Sequence, residues 1–307
     1  MNRQKGREAM EYVVGEAESG KRLREILRGS AGVSRTALKS AKWNGRLFQN
    51  GAEAHTDAVA RAGDRIRIDW AEPEPVYRLT PCFLPFGVAY EDDHLLVADK
   101  PAGMASQSSR NHPDDSLENA VFARAGCPED FIYRPVNRLD KGTGGLMVIA
   151  RTPHCQHLLQ KQLHTSAFRR RYLALAEGCP KAREGILRLP IRKAEGATIR
   201  REVHPEGKPS VTRYRVLSEK GGDSLMLLEL ETGRTHQIRV HLSAIGCPVA
   251  GDFLYGREDP ERFPGCFALH SAGLELYHPM TGETLRLTSI PAWAGELDPA
   301  VLLVDFH

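Results

Sequence analysis

Residues 137–151 read NRLDKGTGGLMVIAR. Asp140 is the only acid between Asp130 and Glu177, with Arg138 two positions before it and Lys141 directly after. Neighbouring cations favour the charged carboxylate, and an ionised carboxylate is a competent nucleophile for covalent catalysis. The glycines that follow allow tight turns and close approach of a ligand. From Thr143 to Ala150 the chain turns apolar (TGGLMVIA), the pattern of a strand buried on both faces. By spacing alone, the same stretch also fits a salt-bridged aspartate at a turn into a strand.

N-terminal to this stretch, Val88–Tyr90 and Leu95–Ala98 read as short strands, and Leu117–Ala125 as a helix. Pro153–Thr165 reads as a helix with proline in its first turn. Phe168–Ala176, Val211–Ser218, Ser224–Glu231 and Phe267–Tyr277 read as strands, and Arg234–Ala244 as an amphipathic helix. Strands outnumber helices and often follow one another, which predicts an α+β fold with a mixed, mostly antiparallel sheet.

The stretch 71–85 holds four prolines and no clear period, marking a linker. The chain is expected to divide into residues 1–75, a linker 76–88 and a larger domain 89–307. In the first segment, Leu23, Ile26 and Leu27 have helical spacing, and Ser34 is placed to cap a second helix. On that helix Arg35, Lys39 and Lys42 fall on one face, suited to a row of phosphates. Asn44-Gly45 and Asn50-Gly51 bracket a short strand at Arg46–Gln49, and Gly63–Ile68 alternates like an edge strand.

The chain of 307 residues has a net charge of only +3, yet its charges are segregated. Residues 134–172 carry a net +7 and residues 252–307 a net −6, which suggests a polyanion-binding surface with an acidic back. None of the six cysteines forms a C-x-x-C pair, so reduced thiols are expected. No apolar run approaches the ~18–20 residues of a membrane span, and the first twenty residues lack the apolar core of a secretory signal. A soluble, cytoplasmic protein is expected.

A second constellation, GRTHQIRVHL at 233–242, places two arginines and two histidines in ten residues. On a helix Thr235, Arg239 and Leu242 share a face, so Arg239 is able to reach a carboxylate on the buried side. His236 and His241 lie five apart and do not share a face, which argues against a metal site.

Together these stretches resemble the RluA-type RNA pseudouridine synthases. NRLDKGTGGLMVIAR is similar to that family's H-R-L-D-x-x-T-S-G-L motif, and GRTHQIRVHLSAIGCPVAGDFLYG to its arginine motif. LLVADKPAGM, RRRYLALAEG and LHSAGLELYHPMTGE support the match, which spans about residues 89–290. RLREIL, SRTALKSAKW, the QNG turn and GDRIRI resemble a small alpha-L RNA-binding domain, a usual partner of this family's catalytic domain.

The resemblance implies a pseudouridine synthase fold with a small N-terminal α/β RNA-binding domain. It implies that Asp140 attacks a flipped-out uridine and that Tyr172 packs on the uracil and takes part in deprotonation. Arg239 is implied to ion-pair with the aspartate, Ile238 to help form an apolar floor, and Arg138 to fill the gap left by the flipped nucleotide. Arg35, Lys39 and Lys42 are expected to bind RNA. Neither cofactor nor metal is expected. The expected partner is structured RNA, ribosomal RNA first and transfer RNA as the alternative, bound by a monomer. A non-catalytic RNA-binding protein that retains the fold is the rival reading. A hydrolase acting through Asp140 is disfavoured, because such enzymes need two carboxylates about the bond. The chain departs from the family's pattern at Asn137 (commonly His), Gly144 (commonly Ser) and Ser106-Gln107 (commonly His-Pro).

Overall fold

The computed structural model describes residues 9–31, 33, 38, 47–69, 79–163, 165–304 and 306. The chain divides into two compact units, Met1–Arg78 and Leu79–His307. No helix among the described residues is long and apolar enough to cross a membrane.

In the first unit, strands β1 (Ala9–Val13), β2 (Leu47–Gln49), β3 (Ala52–Glu53) and β4 (Arg65–Asp69) form an antiparallel sheet in the order β1-β4-β2-β3. The alternation of Arg65-Ile66-Arg67-Ile68 buries both isoleucines and exposes both arginines. The strand is not an edge, contrary to expectation: β4 is flanked by β1, which the sequence did not reveal, and by β2. Helix α1 (Leu23–Arg28) buries Leu23, Ile26 and Leu27 against those isoleucines and Leu47. The basic helix bearing Arg35, Lys39 and Lys42 lies outside the described residues.

The second unit is built on β5 (Gly87–Glu91), β6 (Leu95–Lys100), β7 (Gly144–Ala150), β8 (Phe168–Glu177), β9 (Glu184–Arg188), β12 (Val211–Lys220), β13 (Asp223–Leu230), β14 (Leu269–Tyr277) and β15 (Thr284–Thr288). Eight of them follow the order β5-β6-β7-β14-β8-β13-β12-β9, and β15 pairs with β14. Every pairing in this sheet is antiparallel except β7 with β14. β10 (Ile191–Lys193) and β11 (Arg201–Val203) form a separate ribbon. This is the α+β, mostly antiparallel architecture expected.

Both faces of the sheet are covered. On one, Ala98, Met147, Ile149, Ala174, Met226 and Leu228 pack with Leu117 and Val121 of α2 (Leu117–Arg124) and with Ile238 and Leu242 of α4 (Gln237–Ala244). On the other, Leu146 and Val148 pack with Cys155 and Leu159 of α3 (Pro153–Gln162). Burial from both sides explains why β7 reads as an unbroken apolar run: all seven of its residues are buried. At Gly145 (φ 103) a Cβ would collide with the Ser271 backbone, so only glycine lets β14 run alongside.

Candidate active site

Asp140 sits at the end of a loop that leads into β7, and several contacts fix this loop. The Thr143 N–H donates to Asp140 O at 3.0 Å, closing a turn just after the aspartate. Ser106 Oγ donates to Leu139 O (2.6 Å) and accepts from Leu139 N–H (3.1 Å). The buried Lys100 donates from Nζ to the carbonyls of Pro101 (2.9 Å), Met104 (2.7 Å) and Lys141 (3.4 Å). Burial lowers the Lys100 pKa to about 7, against the opposing pull of Asp140.

The departures from the family's pattern have local explanations. Ser106 is the residue that staples the Asp140 loop. A Cβ at Gly144 would sit 2.9 Å from His270 Nδ1, so glycine fits where this histidine packs. Asn137 Oδ1 accepts from Val148 N–H at 2.9 Å, which keeps a hydrogen bond at that position.

Facing the loop is α4. Its first residue, Gln237, is buried and fully engaged: Oε1 accepts from Thr232 Oγ1 and Arg234 N–H, and Nε2 donates to Val211 O and Thr212 Oγ1. The helix starts at Gln237, so Thr235, expected on it, lies before it. His236 precedes the helix in the left-handed region (φ 58), a conformation rare for non-glycine residues. Its Nδ1 is 2.8 Å from Tyr255 Oη and its Nε2 is 3.8 Å from Asp140 Oδ2. Burial lowers its pKa despite Asp140.

Arg239 projects from α4 to Asp140, with Nη1 3.2 Å from Oδ2. Its other edge is forked onto Asp252, Nε to Oδ2 at 2.6 Å and Nη2 to Oδ1 at 2.8 Å. The guanidinium carbon lies 4.2 Å from the Phe267 ring centroid and 5.0 Å from that of Tyr255. Burial opposes the Arg239 charge, but its bonds to Asp252 and the field of both carboxylates outweigh that, and its pKa is raised. The geometry therefore presents one partly open carboxylate, Asp140, on a cation that is itself held rigid from behind.

Asp140, Tyr172, Arg239, Arg138 and Ile238 all line one cleft of about 620 Å³. Tyr172 enters from β8, buried between Leu228 and Ser271 of the flanking strands. Burial raises its pKa, and the charge of Arg170 works the other way. Ile238 is a buried wall residue, and Arg138 is exposed at the rim. Among the described residues no cluster of three or more His, Cys, Asp or Glu side chains is placed to hold a metal ion.

The sequence alone assigns no role to Asp252 or Lys100, and it marks His236 only as one of two histidines beside two arginines. Asp252 stands within the quoted arginine motif, so the resemblance pointed to the segment. That its carboxylate turns inward onto Arg239 depends on the loop after α4, which no periodicity encodes.

A family profile described as RNA pseudouridylate synthase matches residues 94–244. The chain is 32% identical over 285 residues to the "Uncharacterized RNA pseudouridine synthase YhcT" of Bacillus subtilis, covering 92% of this chain and 93% of that one. It is 39% identical over 235 residues to the "Ribosomal large subunit pseudouridine synthase D" of Nitrosomonas europaea, covering 73% of this chain and 67% of that one. The solved structure "Human RNA Pseudouridylate Synthase Domain Containing 1" matches with a TM-score of 0.57 and 25% identity over 67% of this chain and 84% of that one. The chain belongs to the RluA-type family of RNA pseudouridine synthases, isomerases that act on uridine in structured RNA.

Proposed function

We propose that the protein converts uridine to pseudouridine in ribosomal RNA of the large subunit, acting in the cytoplasm as a monomer, with Asp140 as the nucleophile. A base stacked in a helix is out of reach and must be extruded, at a cost of roughly a few kcal/mol. Arg138, at the rim, fills the gap that the extruded nucleotide leaves, and Arg35, Lys39 and Lys42 hold flanking RNA through its phosphates. Uracil then lies on Tyr172 above the Ile238 wall. Asp140 attacks C1′ and bonds to it through a carboxylate oxygen as the N1–C1′ bond breaks; C5 of the detached ring then bonds to C1′, and the Asp140 carboxylate leaves. A proton leaves C5 with help from Tyr172, and N1 ends protonated. No atom or electron is gained or lost, so the step is an isomerisation.

The observation that supports this reading most is the 3.2 Å contact of Asp140 with Arg239, in the cleft that Tyr172 also lines. The choice of ribosomal RNA rests on relatives named as large-subunit enzymes. The test is a map of pseudouridine in all RNA from strains with and without the gene. Loss of discrete sites in large-subunit RNA is expected. Loss confined to transfer RNA would overturn the choice of substrate, and an unchanged map, with RNA binding intact, would favour the non-catalytic alternative.

A further inference from the structure

Three consecutive arginines in β8 meet three different fates. Arg169 is partly exposed. Arg171 is buried and well satisfied, with Nε 3.0 Å from Glu229 Oε2 and Nη1 2.9 Å from Leu302 O. Arg170 is only 6% exposed and lines the cleft with Asp140 and Tyr172. Its Nε is buried with no hydrogen-bond partner, and among the described residues its guanidinium makes neither hydrogen bond nor ion pair. The space around it is set by close packing: a Cβ at Gly233 would lie 3.1 Å from Arg170 Nη1.

A buried cation without a counter-charge is costly unless a ligand supplies one. The carboxylates nearby are taken: Arg239 holds both Asp140 and Asp252. The missing group is therefore an anion that enters with the substrate. RNA brings one such group per nucleotide, and the planar fork of a guanidinium matches the two nonbridging oxygens of a phosphodiester. Arg138 and Arg234 are solvent-exposed and suit phosphates of the surrounding RNA, whereas Arg170, set inside the wall, meets only what enters the cleft.

We propose that Arg170 is a phosphate-binding residue of this cleft, gripping the nonbridging oxygens of a phosphodiester that flanks the flipped uridine. This rests on the reading that uridine binds beside Asp140. Because the unpaired charge destabilises the free protein, Arg170→Met is expected to melt no lower than wild type in the absence of RNA.

The experiment uses a synthetic stem–loop RNA bearing a uridine that the wild-type enzyme demonstrably converts. A neutral methylphosphonate is placed in turn at each phosphate around that uridine. Wild type, Arg170→Met and Arg170→Lys are compared by kcat, KM and unfolding temperature. One methylphosphonate next to the uridine is expected to lower wild-type kcat/KM roughly 10- to 150-fold, the range for a charged hydrogen-bond partner. Arg170→Met should show the same loss on unmodified RNA and almost no further loss at that position, with Arg170→Lys in between. The salt dependence of RNA binding should flatten by about one unit of log–log slope in Arg170→Met. Additive losses at every phosphate would overturn the proposal, as would a wild-type enzyme indifferent to all of them. A markedly lower melting temperature for Arg170→Met would make Arg170 a structural residue. A changed pH profile without phosphate coupling would show it acting through Tyr172. Both results refute phosphate binding while leaving the activity itself in place.

Discussion

Replacing Asp252 with Asn isolates the support behind the Asp140–Arg239 pair. Asp252 is fully buried and accepts four hydrogen bonds, two from Arg239 and two from the N–H groups of Leu254 (3.0 Å) and Tyr255 (3.2 Å). Asparagine keeps the shape, removes the charge and turns an NH2 group against a guanidinium. Unit charges about 4 Å apart interact by roughly 4 kcal/mol at an effective dielectric of 20. Breaking a buried pair from one side costs about 3–5 kcal/mol. Arg239 retains Asp140 at 3.2 Å and the Phe267 ring, which places the loss near the lower end. At about 3 kcal/mol, and about 2–4 °C per kcal/mol for a domain of this size, the melting temperature should fall by roughly 6–12 °C. A guanidinium freed from its fork keeps Asp140 as a partner but no longer holds it in one position, so single-turnover pseudouridine formation should slow by about tenfold or more, the equivalent of ~1.4 kcal/mol. Thermal unfolding followed by circular dichroism and the single-turnover rate are the two readouts. A variant with wild-type melting and wild-type rate would refute the idea that Asp252 holds the site together.

Ser106→Ala leaves both the N–H and the carbonyl of Leu139 without their buried partner; chemical denaturation should show a loss of about 1–3 kcal/mol, with a slower turnover as the Asp140 loop loosens. Gly145→Ala forces a methyl group onto the Ser271 backbone at φ 103, and soluble yield and unfolding should report a loss of roughly 3 kcal/mol or more. Burial holds the His270 pKa down to about 4. Between pH 6.5 and 4 the unfolded chain therefore binds the extra proton and the folded one does not, so stability falls as pH falls. The His270 contribution reaches about 3 kcal/mol, and His270→Gln should flatten that part of a stability-versus-pH curve measured in urea.

The sequence was most informative where period and burial coincide. The run after Asp140 reads as a doubly buried strand because β7 has helices on both sides, and β8, β12, β13 and β14 were legible from strand patterning with ends off by a few residues. β1 escaped because AMEYV is short and mixed in polarity, and without it β4 looked like an edge. The basic stretch 134–172 is only in part a surface. Arg170 and Arg171 add two charges to the count, yet both are buried, so that surface is less cationic than its sequence. The Asp140–Arg239 contact joins residues 99 apart, which neither spacing nor composition reaches, and only the resemblance indicated it. Asp252 and Lys100 sit in motifs that the resemblance picked out, but a buried charge in a loop declares its partner only once the chain has folded round it.

The proposed isomerisation turns on Asp140 being the attacking group. Wild type and Asp140→Ala, both purified, are incubated with the RNA whose sites vanish in the deletion strain, and pseudouridine is quantified at each site alongside RNA affinity. Asp140→Ala is expected to bind the RNA and form no pseudouridine; conversion by Asp140→Ala at the wild-type rate would rule out a nucleophilic Asp140.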